Sequence, residues 1–265
     1  MRGLDLLPLS CARDAGSFSG PVFSKFKLLP RDLTSRVSLV LDNVLPPVLR
    51  DSRLVMSPLF RLAYGAKLAE QVMDFKDSAH ALSPAAYASL YEAYSRCALG
   101  RRHTDLNVAT LGRISELVLG TTVLDAGCGR GALVSHLRRA HPGLHLTGTD
   151  VVLPDASVRA ADVQWVEGNV ESLPFADGSF DTVLCTHTLE HVQDLPSALR
   201  ELRRLPRKRL VVVLPRQRPY RYSFDLHLRF YPYRHSLDAD FPPGRCSVEL
   251  VDGDWLIVED QLAEP

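Results

Sequence analysis

The 265-residue chain lacks a charge excess: Lys+Arg and Asp+Glu number 31 each. A balanced chain has no bulk electrostatic pull toward nucleic acid or an anionic membrane. It has no C-x-x-C pair, and its five cysteines (Cys11, Cys97, Cys128, Cys185 and Cys246) are odd in number and widely spaced. That argues against a disulfide scaffold and for a reducing, cytoplasmic setting. No apolar run approaches the roughly 18 residues of a membrane-spanning helix, so none is expected. At the N-terminus, Asp5 and Pro8 interrupt the apolar stretch and no small-x-small cleavage site follows, so a signal peptide is not expected either. Internal repeats are missing as well. What remains is ordinary for a folded domain, with 46% hydrophobic and 23% charged residues.

Against this plain background one stretch stands out, residues 122–134. It opens with an apolar, β-branched run, passes Asp125, and closes on Gly127, Gly129 and Gly131 at alternate positions. An apolar helical pattern follows at once. A buried strand, a tight turn and a helix start is where a parallel α/β sheet binds its ligand. Glycines let the backbone approach that ligand and adopt positive φ, and the helix N-terminus offers free N–H groups. The dinucleotide spacing G-x-G-x-x-G is not met, because the third glycine comes one residue early. The segment V-L-D-A-G-C-G-R-G (residues 123–131) instead resembles motif I of the class I S-adenosylmethionine-dependent methyltransferases, in a type 11-like small-molecule subgroup.

The neighbouring segments extend the resemblance. Asp150 closes a short strand 19 residues beyond Gly131, where an acid accepts both hydroxyls of a ribose. Residues 163–175 resemble the third strand and adenine loop, with Asn169 where the family usually has Asp and Val170 offering only its backbone. Residues 180–185 read as the fourth strand, whose end, from Thr186 through Val192, should face the transferable methyl group. A helix over 195–205 and a strand over 209–215 follow. Two alternating runs flank Asp252-Gly253, a hairpin signal. The resemblance implies a Rossmann-like, seven-stranded, mostly parallel α/β sheet with an antiparallel edge hairpin over residues 105–265. It implies S-adenosylmethionine as cofactor, held by Asp125, Gly127, Gly129, Gly131, Asp150, Asn169, Val170 and Thr186.

Residues 1–104 form an N-terminal extension, loose at first and then helical, expected to cap the acceptor side. The apolar segment 39–50 should pack on something. Ser83-Pro84 signals a helix start and Gly100 its stop. Between them Tyr87, Leu90, Tyr91 and Tyr94 share a face that packs on the core or walls a substrate. Residues 216–235 interleave Arg216, Arg218, Arg221, Arg229 and Arg234 with aromatics. They read as a solvated loop with an aromatic anchor, as an acceptor lid, or, ranked last, as an RNA contact.

The end of the fourth strand holds a decoy. His187, Glu190 and His191 spell H-x-x-E-H, an inverted zinc-peptidase motif. It starts at a strand end rather than inside a long helix, and L-E-H at this place also resembles the methyltransferases, so no metal is expected. His187, nearest the strand end, is the candidate general base if neutral; the alternative is that it only lines the pocket. No [DNS]-P-P-[YF] follows the strand, which favours a small-molecule acceptor over a nucleic-acid base. The expected function is methyl transfer to such an acceptor, an anionic metabolite, a saccharide or a lipid intermediate. The alternatives are a cofactor-binding partner subunit without turnover, an RNA methyltransferase and a zinc hydrolase.

Overall fold

The computed structural model describes residues 46–96 and 104–261. Among the described residues the N-terminal extension holds α1 (Pro47–Arg50), α2 (Arg53–Tyr64), α3 (Ala66–Ser78) and α4 (Pro84–Arg96). The expected stop at Gly100 and most of the apolar segment 39–50 lie outside the described residues. Then follow α5 (Val108–Leu117), β1 (Thr122–Ala126), α6 (Ala132–Ala140), β2 (His145–Asp150), β3 (Gln164–Glu167), β4 (Phe180–Thr186), α7 (Leu195–Arg204), β5 (Pro206–Pro215), β6 (Ser247–Val251) and β7 (Asp254–Asp260).

The strands form one sheet in the order β3-β2-β1-β4-β5-β7-β6. The first five run parallel, β7 is antiparallel to β5, and β6 pairs antiparallel with β7 around the Asp252-Gly253 turn. The chain therefore starts in the middle of the sheet, works outward through β2 and β3, then returns to β4 beside β1. Such a reversal opens a crevice at the strand C-termini. Asp125, Asp150, Glu167 and Thr186 sit at or beside the C-terminal ends of four adjacent parallel strands.

Local chemistry explains the element ends. Asn107 caps α5, its side-chain oxygen accepting the Thr110 N–H at 2.8 Å. Asp194 caps α7 in the same way, through Ser197 N–H. Amphipathic α7 buries Leu195, Ala198, Leu199 and Leu202 on one sheet face; each leucine so buried contributes about 2 kcal/mol. On the other face, α5 and α6 cover Val123, Leu184, Val211, Val213 and Leu256. The cations at the end of α7 lace the base of the sheet: Arg203 grips Glu259 through two bonds of 2.8 and 2.7 Å, Arg204 holds Glu201 and Asp177, and Lys208 lies 3.2 Å from Asp181.

The N-terminal helices and the Arg/aromatic stretch build a core of their own. Met56, Phe60, Val72, Met73 and Phe75 pack with Tyr222 and Leu226. Residues 216–233 carry neither helix nor strand, so their carbonyls need outside donors. Arg50, Tyr64 and Lys76 supply them, to Tyr222, Phe224 and Tyr220 respectively. Arg229 in turn donates to the carbonyls of Val192 and Gln193. The stretch is thus a strap binding the helices to the turn after β4, anchored by buried Tyr222, Leu226 and Tyr231, rather than a solvated loop.

Candidate functional site

The turn after β1 is shaped by its three glycines, all at positive φ: 79° at Gly127, 52° at Gly129 and 72° at Gly131. Two of them are required by packing within the protein. A Cβ on Gly127 would sit 2.1 Å from the Thr188 hydroxyl, and one on Gly131 would sit 2.6 Å from the Trp165 ring. Gly129 differs, because its Cβ would meet nothing within 4 Å. Its N–H donates to Asp150 Oδ2 at 2.8 Å, and Gly127 and Cys128 both donate to the Thr149 carbonyl. The turn from β1 is in this way bolted to the end of β2, with one open flank.

Asp125 closes β1 and is 2% exposed, yet neither carboxylate oxygen has a hydrogen-bond partner. Burial, with the like charge of Asp150 added, pushes its pKa up to about 7. A buried carboxylate left bare in this way is costly and suits a site built for a cation. Asp150 is also raised, by burial, though the N–H groups of Val152 and Gly129 oppose the change. Each Asp150 oxygen accepts one backbone N–H and keeps a lone pair for a further donor.

The loop after β3 is tied to the same place, Gly168 N–H donating to the Asp150 carbonyl at 3.0 Å. Asn169 is exposed and folds an Asx turn, accepting the Glu171 N–H at 3.0 Å, while Val170 is buried. Thr186 ends β4, its carbonyl accepting the Thr188 hydroxyl at 3.0 Å. The structure therefore gathers Asp125, the glycines, Asp150, Asn169, Val170 and Thr186 around one strand-end crevice. Beside it, α4 and the residues after Asp150 border a cleft of about 430 Å³ lined by Ala88, Glu92, Val152 and Arg159.

His187 does not take the place expected of a general base. At φ 48° its ring turns inward, with Nδ1 3.5 Å from Glu190 and Nε2 3.4 Å from Asp254 of the hairpin. Burial would lower its pKa, but Asp254 and then Glu190 outweigh it and raise the value to about 10. Both ring nitrogens thus face acids of the protein itself, which favours the protonated ring over one with a lone pair free for a substrate proton.

The H-x-x-E-H reading fares no better as a peptidase site, since residues 187–194 form a turn, not a helix. His187 and His191 do not converge there. His191 instead meets His227 of the strap, ring centroids 4.7 Å apart. Sequence reasoning missed both His227 and Asp254, which reach the site from remote segments; the only signal for His227 was its place in the Arg/aromatic stretch. On α4, the Tyr87 hydroxyl donates to the His191 carbonyl, and Tyr91 stands edge-on to the His191 ring at 5.6 Å. Tyr94 packs with Tyr64 and Tyr91. The tyrosine face therefore packs on the extension's own core and on the turn after β4.

The strand order and the glycine turn define a Rossmann-like α/β domain with a crevice at the strand C-termini. Residues 124–213 match the family described as a methyltransferase domain. The malonyl-[acyl-carrier protein] O-methyltransferase of Pseudescherichia vulneris is 34% identical over 127 residues, 46% of this chain and 48% of that protein. The demethylmenaquinone methyltransferase of Thermotoga maritima is 36% identical over 109 residues, 38% of this chain and 48% of that one. A solved SAM-dependent methyltransferase from Aquifex aeolicus overlays with a TM-score of 0.44 at 16% identity, over 57% of this chain and 88% of that one. The chain spans about half the length of the curated relatives it matches. The likeness to methyltransferases is carried by residues 124–213, about a third of the chain.

Proposed function

We propose that this protein transfers the methyl group of S-adenosylmethionine to a small-molecule acceptor. The observation that carries the reading is Asp125: a fully buried, unpartnered carboxylate beside a glycine turn with one open flank. Its charge suits the ammonium of the cofactor's methionine end. The open flank at Gly129 admits the chain of that end against bare backbone. Asp150 takes the ribose hydroxyls on its remaining lone pairs. Asn169 and the Val170 backbone hold the adenine edge, and Thr186 lines the methyl side. When bound, the cofactor supplies an electrophilic sulfonium methyl. The protein's own task is then alignment of nucleophile, carbon and sulfur, and exclusion of water.

The N-terminal extension serves as the acceptor-side cap, for which the contacts of Tyr87 and Tyr91 with the turn after β4 are the support. Acceptors in the range of an anionic metabolite, a saccharide or a lipid intermediate suit a strap rich in arginine and aromatics. The relatives' names include malonyl-acyl carrier protein and demethylmenaquinone methyltransferases, a spread that leaves the methylated atom to experiment. A cytoplasmic site of action fits the free Cys128, Cys185 and Cys246, and no helix among the described residues is long and apolar enough to cross a membrane.

Incubating extract fractions with methyl-labelled cofactor and identifying the labelled product by mass tests the activity. A labelled small molecule supports it; cofactor binding with no labelled product from any fraction points to a partner subunit without its own turnover. Replacing Asp150 with Ala should weaken cofactor binding at least about thirtyfold, the loss of two charge-assisted hydrogen bonds. Unchanged affinity by calorimetry would remove Asp150 from the site.

A further inference from the structure

The turn after β4 holds a second constellation that methyl transfer does not require. Glu190 is fully buried, and neither of its carboxylate oxygens has a hydrogen-bond partner. One ligand atom each from Glu190, His191 and His227 lie within 4.8 Å of one another. The two imidazoles are fixed from behind: His191 Nδ1 donates to the Leu226 carbonyl at 2.9 Å, and His227 Nδ1 donates to Gln217 Oε1 at 2.6 Å. With Nδ1 committed as donor, the neutral rings present Nε2 as an acceptor, and His227 Nε2 stands 4.0 Å from Glu190 Oε1. His187 stands 3.5 Å from Glu190 on one side, but neither His191 nor His227 turns its committed N–H onto that carboxylate. Here two nitrogen lone pairs and a carboxylate converge instead, each histidine held by an outer carbonyl oxygen, as metal-bound histidines usually are.

We propose that Glu190, His191 and His227 bind one divalent transition-metal ion of the zinc type, through two imidazole nitrogens and one carboxylate oxygen. Hard cations such as magnesium and calcium prefer a shell made largely of oxygens, so this donor set selects against them. Bonds of about 2.1 Å in tetrahedral geometry place ligand atoms about 3.4 Å apart, so the three side chains close on the ion by roughly 1 Å. Residues 187–194, free of helix and strand pairing, allow that closure. Three protein ligands leave a coordination position open to water or to a hydroxyl of an acceptor. The site differs from the H-x-x-E-H motif it overlaps, because His187 is turned to Asp254 and its place is taken by His227 of the strap. It stands independently of the methyl-transfer reading.

The test is equilibrium dialysis of the chelator-stripped full chain against zinc alone, with metal content read by mass spectrometry. One zinc per chain is expected, with at least tenfold weaker binding in H191A, H227A and E190Q and no change in H145A, which alters an exposed histidine elsewhere. Absence of stoichiometric zinc, or retention of it in H191A and H227A alike, overturns the proposal. Should the variants fail to fold, X-ray absorption of the zinc-loaded wild-type protein decides: two imidazoles in the shell support the site, and sulfur ligands overturn it. Calorimetry of S-adenosylmethionine binding to the same samples reads the cofactor site separately.

Discussion

Asp125 should be a liability to the empty protein and an asset to the loaded one, and replacing it with Asn separates the two. Its pKa stands near 7 in the folded chain, against about 4 for an aspartate in water. That difference corresponds to about 4 kcal/mol, at ~1.4 kcal/mol for each tenfold change in proton affinity. The sign follows from proton linkage: the folded state holds this proton more tightly than the unfolded one. The penalty is therefore absent below about pH 4, grows as pH rises, and is complete above the folded value of about 7. An asparagine removes the charge but leaves an amide without partners, which returns about 1–3 kcal/mol. The net expectation is that D125N gains about 2 kcal/mol at pH 8 without cofactor, by urea denaturation, and that the gain shrinks as pH falls and becomes a loss near pH 4. With cofactor the order reverses. Losing the carboxylate facing an ammonium should weaken binding by about 2–3 kcal/mol, roughly thirty- to a hundredfold. Wild-type affinity should also fall as pH drops below 7, because the carboxyl must ionise to receive the ammonium. A D125N protein less stable than wild type at pH 8, with cofactor affinity intact, would refute both halves of the reasoning.

The glycines offer a contrast. G127A places a methyl group 2.1 Å from the Thr188 hydroxyl and should cost several kcal/mol of folding stability, whereas G129A meets no atom within 4 Å and should cost only the ~1–2 kcal/mol of a left-handed residue while blocking cofactor; melting and calorimetry side by side distinguish them. Asp181 accepts the N–H groups of Thr121 and Thr122 and faces Lys208 and Arg207. The Thr121 N–H above all, against the burial that opposes it, holds the Asp181 carboxyl well below the usual range. Its stabilisation is thus present above about pH 4 and lost as pH falls toward the folded value. D181N should lower stability at pH 7 by about 2 kcal/mol and flatten the acid limb of a urea series. H187A leaves Glu190 and Asp254 without their shared cation and should cost about 3 kcal/mol. A variant with native stability would show that the clasp holds nothing.

Residues 105–260 were legible because each element carries its own signal. The β-branched run before Gly127, the amphipathic repeat of α7 and the Asp252-Gly253 turn are all read within about ten residues of chain. The order and spacing of Asp125, the glycines and Asp150 then placed the crevice. What stayed hidden depends on segments far apart in sequence. His187 faces a second acid because Asp254 arrives from the hairpin, and His191 meets His227 because the strap returns to the turn after β4. No spacing encodes either meeting. The strap itself was misleading: its arginines look solvent-facing in composition, yet Arg229 spends its guanidinium on two carbonyls of the neighbouring turn.

The strap's anchorage has a consequence for how this protein can diverge. Arg50, Tyr64 and Lys76 grip it by main-chain carbonyl oxygens, groups that every amino acid carries. Such bonds persist whatever side chain stands at the gripped position. Positions along the strap that project away from the buried anchors can therefore mutate freely while its path between the helices and the turn after β4 is kept. A segment held by its backbone is a place where a lineage can try new surface chemistry without refolding the domain beneath it.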